Sequence, residues 1–315
     1  MKKALICVIV VTEKLMGELK MEKRVVERGY AKINLHLDVS GILPDGYHAV
    51  TTVMQSISLY DEITVSDICR TDKTPDLTVS CNVEGVPCDG RNLAHKAAML
   101  FCQHTGISLS AHIDIKKNIP MAAGMAGGST DGAAVLRGLN LAVGSPLSDD
   151  ELCGLASQLG ADLPFCIVGG TRLADGKGDV LHSFPKMPHC TLVVACEGEG
   201  VSTPWAYRLL DTTYNNFAEG AYTPVSVDRL HTAMSDGSIY DTAGAIYNIF
   251  EKPVLAQRPV AANIKKILLS SDALGAMMSG SGPSVFGIFD DEEAARGAAR
   301  ALEAEGYRAY ICTPI

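Results

Sequence analysis

Hydrophobic and polar side chains alternate along residues 24–66 in the manner of β-strands. Such alternation predicts a strand with one buried and one exposed face. The turn at Pro44–Gly46 and the run Val50–Leu59 predict a second strand returning beside the first. The alternating residues of the first strand are, on its apolar side, Ile33, Leu35 and Leu37 and, on its polar side, Asn34, His36 and Asp38.

Helical spacing of apolar residues dominates further along the chain. Ser148 and Glu151 stand at the spacing of a capping box, which predicts a helix start. The predicted helices cover residues 92–103, 129–142, 148–159, 204–210, 226–235, 241–250, 259–269 and 291–303. The predicted strands cover 111–115, 163–168, 192–196, two segments of 275–289 and 307–312. Because strands and helices mix without strict βαβ alternation, we predict an α+β fold.

A chain of 315 residues fits two domains better than one. The change of pattern near residue 180 predicts an N-terminal domain at 23–180 and a C-terminal domain at 181–315. Residues 1–22 are interpreted as an N-terminal extension. Their apolar run Ala4–Val11 faintly resembles a signal peptide, but it is too short to span a bilayer. An extra strand, or an extension upstream of a natural start at Met21, explains it better.

The formal net charge of −9 argues against general nucleic-acid binding, which needs clustered Lys and Arg. It does not argue against an anionic small ligand, because backbone N–H groups can hold phosphates. The 10 cysteines form no C-x-x-C pair. We interpret them as reduced, buried thiols and expect a cytoplasmic protein without a membrane partner.

The glycine-rich segment Pro120–Thr130 is the strongest functional signal. It follows a predicted strand and opens a predicted helix, where small residues let the backbone approach a phosphate and N–H groups face it. Its spacing fits neither G-x-x-x-x-G-K-[ST] nor G-x-G-x-x-G. The candidate phosphate-binding residues are Pro120, Met121, Ala122, Ala123, Gly124, Met125, Ala126, Gly127, Gly128, Ser129 and Thr130.

Two ionisable residues are weaker candidates on their own. Lys32 shares a strand face with Asn34 and could stabilise a transferring phosphoryl group, although a lysine facing solvent is the simpler interpretation. Asp162 lies between a predicted helix end and the predicted apolar strand 163–168. It could act as a general base, or it could only bond backbone at a turn.

Aromatic and glycine-rich turns add further candidates. The turn at Asp45–His48 ends in Tyr47 and His48, a ring and a hydrogen-bonding edge that suit a nucleobase, or else ordinary turn residues. Tyr207 is a second candidate platform. The segment Ser279–Ser284 is either a second functional glycine turn or a tight β-turn.

Together, these motifs resemble the galactokinase/homoserine/mevalonate/phosphomevalonate (GHMP) kinases. The resemblance extends from about Arg24 to the C-terminus. Its general motifs are Pro120–Thr130 and Met278–Gly282. Further motifs resemble, in the same order, the members that phosphorylate a diphosphocytidyl-linked methylerythritol for isoprenoid synthesis; these are Ala31–Leu35, Asp45–His48, Gly160–Pro164 and Ala174–Gly178.

The resemblance implies roles for particular residues. Asp162 would accept the proton of the substrate's C2 hydroxyl, and Lys32 would stabilise charge at the γ-phosphate of ATP. Tyr47 and Tyr207 would stack on cytosine with His48 at its polar edge, and Asn34 would contact substrate. Mg²⁺ is expected with ATP, with Ser129 as a candidate ligand.

The resemblance also implies a two-domain fold. Its N-terminal domain would contain a left-handed β-α-β crossover, and its C-terminal domain would be ferredoxin-like. A small-molecule substrate and a monomer or weak homodimer are expected. The alternatives are another GHMP kinase, of mevalonate or homoserine type, and a regulatory protein that binds nucleotide without catalysis.

The loop departs from the resembled motif at three positions. Ala122, Ala123 and Ala126 stand where glycine is frequent. We expect the methyl group of Ala126 to cost little, on the assumption that its φ is negative.

Overall fold

The computed structural model describes residues 7–15, 18–196 and 200–315. These residues form two compact units, each assembled from separate stretches of the chain. Unit 1 contains residues 7–15, 18–30, 60–119 and 127–168. Unit 2 contains residues 31–59, 120–126, 169–196 and 200–315. The division at residue 180 stays a prediction.

Strands and helices are mixed along the chain, which confirms the predicted α+β class. The strands are β1 (Cys7–Leu15), β2 (Glu18–Ile42), β3 (His48–Arg70), β4 (Asp76–Cys81), β5 (Leu109–Lys116), β6 (Thr171–Asp175), β7 (Val180–Ser183), β8 (Thr191–Cys196), β9 (Tyr247–Asn248), β10 (Gly275–Met278), β11 (Val285–Phe289) and β12 (Arg308–Cys312). The helices are α1 (Leu93–Thr105), α2 (Gly127–Ala142), α3 (Asp149–Ser157), α4 (Leu163–Val168), α5 (Thr203–Thr213), α6 (Asp228–Ser235), α7 (Ile239–Ala245), α8 (Glu251–Gln257), α9 (Pro259–Ser270) and α10 (Glu292–Ala304), with a short 3₁₀ turn at Asn215–Phe217.

In unit 1 the strand order is β1-β2-β3-β5-β4, and β4 runs parallel to β5. Helices α1 to α4 complete its hydrophobic core, in which Ile113, Phe101 and Leu136 are fully buried. The predicted capping box is confirmed. The Ser148 side chain accepts a hydrogen bond from the backbone N–H of Glu151, and the Glu151 side chain accepts one from the backbone N–H of Ser148. In the N-terminal segment, β1 pairs antiparallel with β2, as an extra strand would. Residues 1–6, 16 and 17 lie outside the described part.

Unit 2 contains a four-stranded antiparallel sheet in the order β10-β11-β8-β12. The chain runs β8-α9-β10-β11-α10-β12 through this sheet and its helices, which is the β-α-β-β-α-β order of a ferredoxin-like domain. The buried residues Phe289, Ile264 and Leu302 form part of its core. The ferredoxin-like prediction is therefore confirmed, and the left-handed crossover stays a prediction.

Two predicted elements differ in the structure. Residues 163–168 form the helix α4 instead of a strand. A short apolar run does not distinguish the two, and Pro164 is tolerated in a first helical turn, where its missing N–H has no partner to lose. The predicted helix 241–250 ends at Ala245, and Tyr247–Asn248 pairs in parallel with β2.

Across the described ranges, no helix is both long enough and apolar enough to cross a membrane.

Candidate active site

The polar side of β2 is buried, which corrects the prediction of an exposed face. Lys32 is 4% exposed, Asn34 2%, His36 1% and Asp38 2%. Alternation alone cannot distinguish a solvated polar face from one that packs against other polar groups. The surface-lysine interpretation of Lys32 is therefore wrong, and its ammonium group lies in a buried polar environment.

A chain of hydrogen bonds within unit 2 orients Asn34 toward Lys32. The Nζ of Lys32 donates to Oδ1 of Asn34 at 2.8 Å, and Nδ2 of Asn34 donates to Oγ1 of Thr52 at 2.8 Å. The Thr52 hydroxyl donates its one proton to the carbonyl of His36 at 2.7 Å. It can therefore only accept a hydrogen bond from Asn34. The network therefore fixes which end of the Asn34 amide faces Lys32.

Asp38 organises the other end of this polar face. It accepts hydrogen bonds from the Tyr222 hydroxyl at 2.6 Å and from the backbone N–H of Val225 at 2.7 Å. Tyr222 also contacts the hydroxyl of Tyr247 at 2.8 Å. Burial raises the pKa of Asp38, and burial together with the Asp38 carboxylate raises the pKa of Tyr222.

His36 lies between these two networks without joining either through its ring. Its ring centroid is 5.7 Å from that of Tyr247. Neither ring nitrogen has a hydrogen-bond partner among the described residues. Burial lowers the pKa of His36 to about 4, so the imidazole is neutral near pH 7.

The first part of the glycine-rich segment, Pro120–Ala126, packs against the turn Ser279–Ser284 within unit 2. The Ser279 hydroxyl donates to the carbonyl of Gly124 at 3.0 Å, and the N–H of Ser284 donates to the carbonyl of Ala123 at 3.3 Å. A Cβ on Gly124 would lie 2.2 Å from the Ser279 carbonyl oxygen, and Gly124 has φ +76°. Glycine is therefore required here by both space and backbone conformation.

Ala122 and Ala126 occupy the left-handed region, with φ values of 50° and 59°. The expectation of a negative φ at Ala126 is therefore wrong. An L-residue in this region costs roughly 1–2 kcal/mol, because its Cβ crowds the following carbonyl. The loop thus carries local backbone strain at two positions.

The second part of the segment, Gly127–Thr130, forms the first turn of α2 in unit 1. The Thr130 side chain is buried, and its hydroxyl donates to the carbonyl of Tyr30 at 2.8 Å. Ser129 is half-buried and Gly128 exposed. The structure thus gives Thr130 an anchoring bond and leaves Ser129 the more accessible hydroxyl of the two.

A buried charge cluster lies close to this helix start and was not predicted. The Nζ of Lys117 contacts carboxylate oxygens of Asp61 at 2.5 Å and Asp131 at 2.8 Å. Asp61 also accepts from the backbone N–H groups of Asn118 at 2.6 Å and Ile119 at 2.8 Å. Lys117 lies just before the glycine-rich loop, and Asp131 lies on α2. The cluster therefore connects the chain that enters the loop with this helix.

Burial governs the protonation of this cluster. It raises the pKa of Asp131 to about 8, Asp61 adds to the effect, and Lys117 opposes it. Burial also opposes the charge on Lys117, yet the two carboxylates outweigh it and raise the Lys117 pKa. One oxygen of Asp131, Oδ1, has no partner among the described residues.

Asp162 is half-buried and immediately precedes α4 in unit 1. Its backbone carbonyl accepts from the N–H of Cys166 at 3.1 Å, so its main chain begins the helix. This turn holds the carboxylate at a helix N-terminus, where a negative charge is favourable.

The predicted aromatic residues form two separate contacts in unit 2. Tyr47 is 60% exposed, and the Nζ of Lys177 lies 4.1 Å from its ring centroid. The ring of His48 lies 4.5 Å from that of Tyr207, tilted by 37°. His48 also pairs through Nε2 with Asp211 at 2.7 Å. The stacking of cytosine between Tyr47 and Tyr207 stays a prediction.

Several of these contacts were missed from the sequence. Lys177 belongs to the segment Ala174–Gly178, to which no role was assigned. Asp211 stands four residues after Tyr207 on α5, and this i, i+4 spacing places both on one helix face. The spacing was therefore a usable signal for Asp211, whereas no short motif indicates Thr52.

The described residues contain no group of three or more His, Cys, Asp or Glu side chains placed to hold a metal ion. A magnesium ion bound largely through substrate phosphates needs only one or two protein oxygens, so a full protein cage is not required.

Comparison with protein families identifies the class. Residues 92–170 match the model described as the GHMP kinases N terminal domain, and residues 230–308 match GHMP kinases C terminal. The chain is 39% identical over 292 residues to the 4-diphosphocytidyl-2-C-methyl-D-erythritol kinase of Gloeobacter violaceus, covering 92% of this chain and 94% of that protein. It is 40% identical over 276 residues to the kinase of the same name from Caldicellulosiruptor saccharolyticus, covering 88% and 92%.

Solved structures agree with this placement. A crystal structure of 4-(cytidine 5'-diphospho)-2C-methyl-D-erythritol kinase matches with a TM-score of 0.75 and 30% identity, covering 92% of this chain and 98% of that one. L. major mevalonate kinase matches in fold, with a TM-score of 0.70, 18% identity and 98% of both chains covered. The chain belongs to the GHMP kinases and, within them, to the family of 4-diphosphocytidyl-2-C-methyl-D-erythritol kinases.

Proposed function

We propose that this chain transfers the γ-phosphate of ATP to the C2 hydroxyl of 4-diphosphocytidyl-2-C-methyl-D-erythritol, in the non-mevalonate route to isoprenoids. The observation that carries the proposal is the near-full-length identity to kinases of that name, at 39% and 40%. The contact of His48 with Tyr207 and Asp211 supports the choice of a cytidine substrate, because mevalonate or homoserine would make no use of it.

Asp162 and Lys32 divide the chemistry in this proposal. Asp162 takes the proton of the attacking hydroxyl, and Lys32 stabilises negative charge on the phosphoryl group in transfer. Asn34 supports the assignment of Lys32, because it holds the ammonium group by a hydrogen bond in a buried site. A charge in such surroundings acts more strongly on a phosphate than one in water.

Pro120–Thr130 is proposed to hold the phosphates of ATP through backbone N–H groups. The positive φ values at Ala122, Gly124 and Ala126 support this, because alternating backbone conformations of this kind can turn successive N–H groups toward one anion. Magnesium bound to ATP would neutralise phosphate charge, and Ser129 would offer it a hydroxyl oxygen. We further propose a cytoplasmic monomer or weak homodimer. The nine cysteines from Cys69 to Cys312 are free thiols, which agrees with a reducing compartment. The expectation that the cysteines are buried is wrong for Cys69 and Cys88, which are exposed.

A coupled assay of ADP release tests the substrate. We expect turnover with the diphosphocytidyl substrate and none with mevalonate or homoserine; turnover of either of those alone would refute the proposal. Asp162→Asn should lower kcat by about 10²–10⁴-fold with little change in the KM for ATP. The matched control Asp150→Asn, at an exposed position on α3, should leave kcat unchanged. Unaltered kcat in Asp162→Asn would favour the regulatory, non-catalytic alternative.

A further inference from the structure

The pairing of His48 with Asp211 has a consequence for the choice of base. Nε2 of His48 lies 2.7 Å from a carboxylate oxygen of Asp211. A carboxylate can only accept, so Nε2 donates to it, and in the neutral form of the ring this is the one N–H proton. Nδ1 is then the hydrogen-bond acceptor of the ring, since the bond made by one nitrogen decides the state of the other.

Two aromatic rings restrict the plane of the His48 imidazole. Tyr207 lies 4.5 Å from it and Phe217 5.9 Å from it, the latter edge-on. Among the residues that the structure describes, none bonds to Nδ1. The imidazole is half-buried, with its side chain 13% exposed. His48 therefore presents one oriented acceptor whose position depends on Asp211.

We propose that Asp211 is a positioning residue that makes the site select a base with an exocyclic amine over one with a keto oxygen. This inference rests on the proposed function. Cytosine offers an N4 amine donor where a uracil ring offers an O4 acceptor. An Nδ1 that can only accept pairs with the amine and repels the keto oxygen, so cytidine is favoured over uridine.

Without the Asp211 carboxylate, the imidazole could flip about its Cβ–Cγ bond and exchange Nδ1 for a carbon. The proton could also move between the two nitrogens. Both changes remove the acceptor that distinguishes the bases. The reacting hydroxyl lies at the other end of the substrate, so the effect falls on recognition of the base and leaves phosphoryl transfer intact.

The test compares kcat/KM for the diphosphocytidyl substrate with kcat/KM for its diphosphouridyl counterpart. In Asp211→Leu we expect the ratio to fall by roughly tenfold to a hundredfold, through a higher KM for the cytidine substrate at nearly unchanged kcat. Asp211→Glu keeps a carboxylate and should restore most of the ratio. An unchanged ratio in Asp211→Leu, with both substrates weakened equally, would show that Asp211 only stabilises α5 and would overturn the inference.

A second measurement separates this inference from the proposed function. Nitrogen-15 NMR of the histidine rings in the intact wild-type protein should show Nδ1 of His48 unprotonated and Nε2 protonated. In Asp211→Leu the two shifts should move toward an averaged pattern. A proton on Nδ1 in the wild-type protein would overturn the inference whatever the substrate is. If the wild-type protein fails to phosphorylate the diphosphocytidyl substrate while the NMR pattern holds, the proposed function fails and only the orientation of His48 by Asp211 stands.

Discussion

Lys32 donates to Asn34 at 2.8 Å, and a third residue, Thr52, orients the amide that accepts this bond. Thr52 accepts from Nδ2 of Asn34 and thereby keeps Oδ1 of the amide toward Lys32. Because Thr52 is 3% exposed, water cannot readily replace its hydroxyl. A hydroxyl on the neighbouring strand β3 thus orients the amide that accepts the hydrogen bond from Lys32.

On the role proposed for Lys32, replacing Thr52 by Val should impair catalysis. The change keeps the shape of the side chain but removes the acceptor of Asn34 Nδ2 and one donor to the His36 carbonyl. We expect the free energy of unfolding to fall by about 1–3 kcal/mol. We also expect kcat to fall roughly tenfold to a hundredfold through misplacement of Lys32. The matched control Thr52→Ser keeps the hydroxyl, and equal kcat values in the two variants would contradict the role of Thr52.

The strain at Ala126 predicts a stabilising substitution. Ala126→Gly removes the Cβ at φ 59°, and the relief exceeds the added flexibility of the unfolded chain. We expect the free energy of unfolding to rise by about 0.5–1 kcal/mol, measured by urea denaturation. Ala123→Gly is the control, because Ala123 is 4% exposed and does not share the positive φ. Ala123→Gly should lower the free energy of unfolding. If Ala126→Gly lowered it by the same amount, the backbone at Ala126 would not be strained.

The sequence was sufficient for the elements that depend on local rules. The capping box at Ser148 follows from side-chain and backbone groups that lie three residues apart. Lys32 and the glycine-rich loop could be selected as candidates because strand alternation and small-residue spacing are also local. Such features need no knowledge of distant parts of the chain.

Features set by distant partners were not predictable in the same way. The burial of the polar face of β2 involves Tyr222 and Tyr247, which lie far along the chain. The Lys117 cluster joins carboxylates from β3 and α2 to a lysine that looks like an ordinary surface residue in sequence. The backbone φ of Ala126 depends on how the loop packs, so side-chain identity alone gave the wrong expectation.

Asp131 predicts a pH effect on stability. Its pKa in the folded protein, about 8, lies above the unfolded value near 3.9. Between these values the folded state binds a proton that the unfolded state has lost, so stability decreases as pH rises through the window. Asp131→Asn mimics the protonated acid and should remove this decrease. Urea unfolding at pH 5 and pH 8 should therefore show a smaller difference in the variant than in the wild-type protein.

Asp61→Asn provides the contrast for this prediction. Asp61 is fully buried and holds Lys117 and two backbone N–H groups. Its replacement should destabilise the protein at both pH values, by about 3–5 kcal/mol, because it leaves a buried cation with weaker compensation. If Asp131→Asn proved as destabilising as Asp61→Asn at pH 8, Asp131 would have to be ionised in the folded protein.

His36 predicts the opposite pH effect. Its pKa of about 4 in the folded protein lies below the unfolded value near 6.5. The unfolded state binds the extra proton in this window, so stability is lost as pH falls from 6.5 toward 4. The loss between pH 7 and pH 5 amounts to about 2 kcal/mol by linkage. His36→Leu should abolish this pH-dependent loss of stability. It should also remove the two buried ring nitrogens that have no hydrogen-bond partner among the described residues.

Urea denaturation of wild-type protein and His36→Leu at pH 5, 6 and 7 measures this difference directly. The variant should match or exceed the wild-type stability at pH 5, because an apolar side chain of similar volume replaces a buried polar ring without hydrogen bonds. His189→Leu, at an exposed position, is the control and should follow the wild-type curve. A His36→Leu variant that loses as much stability as the wild-type protein on acidification would mean that His36 does not stay neutral when the protein is folded.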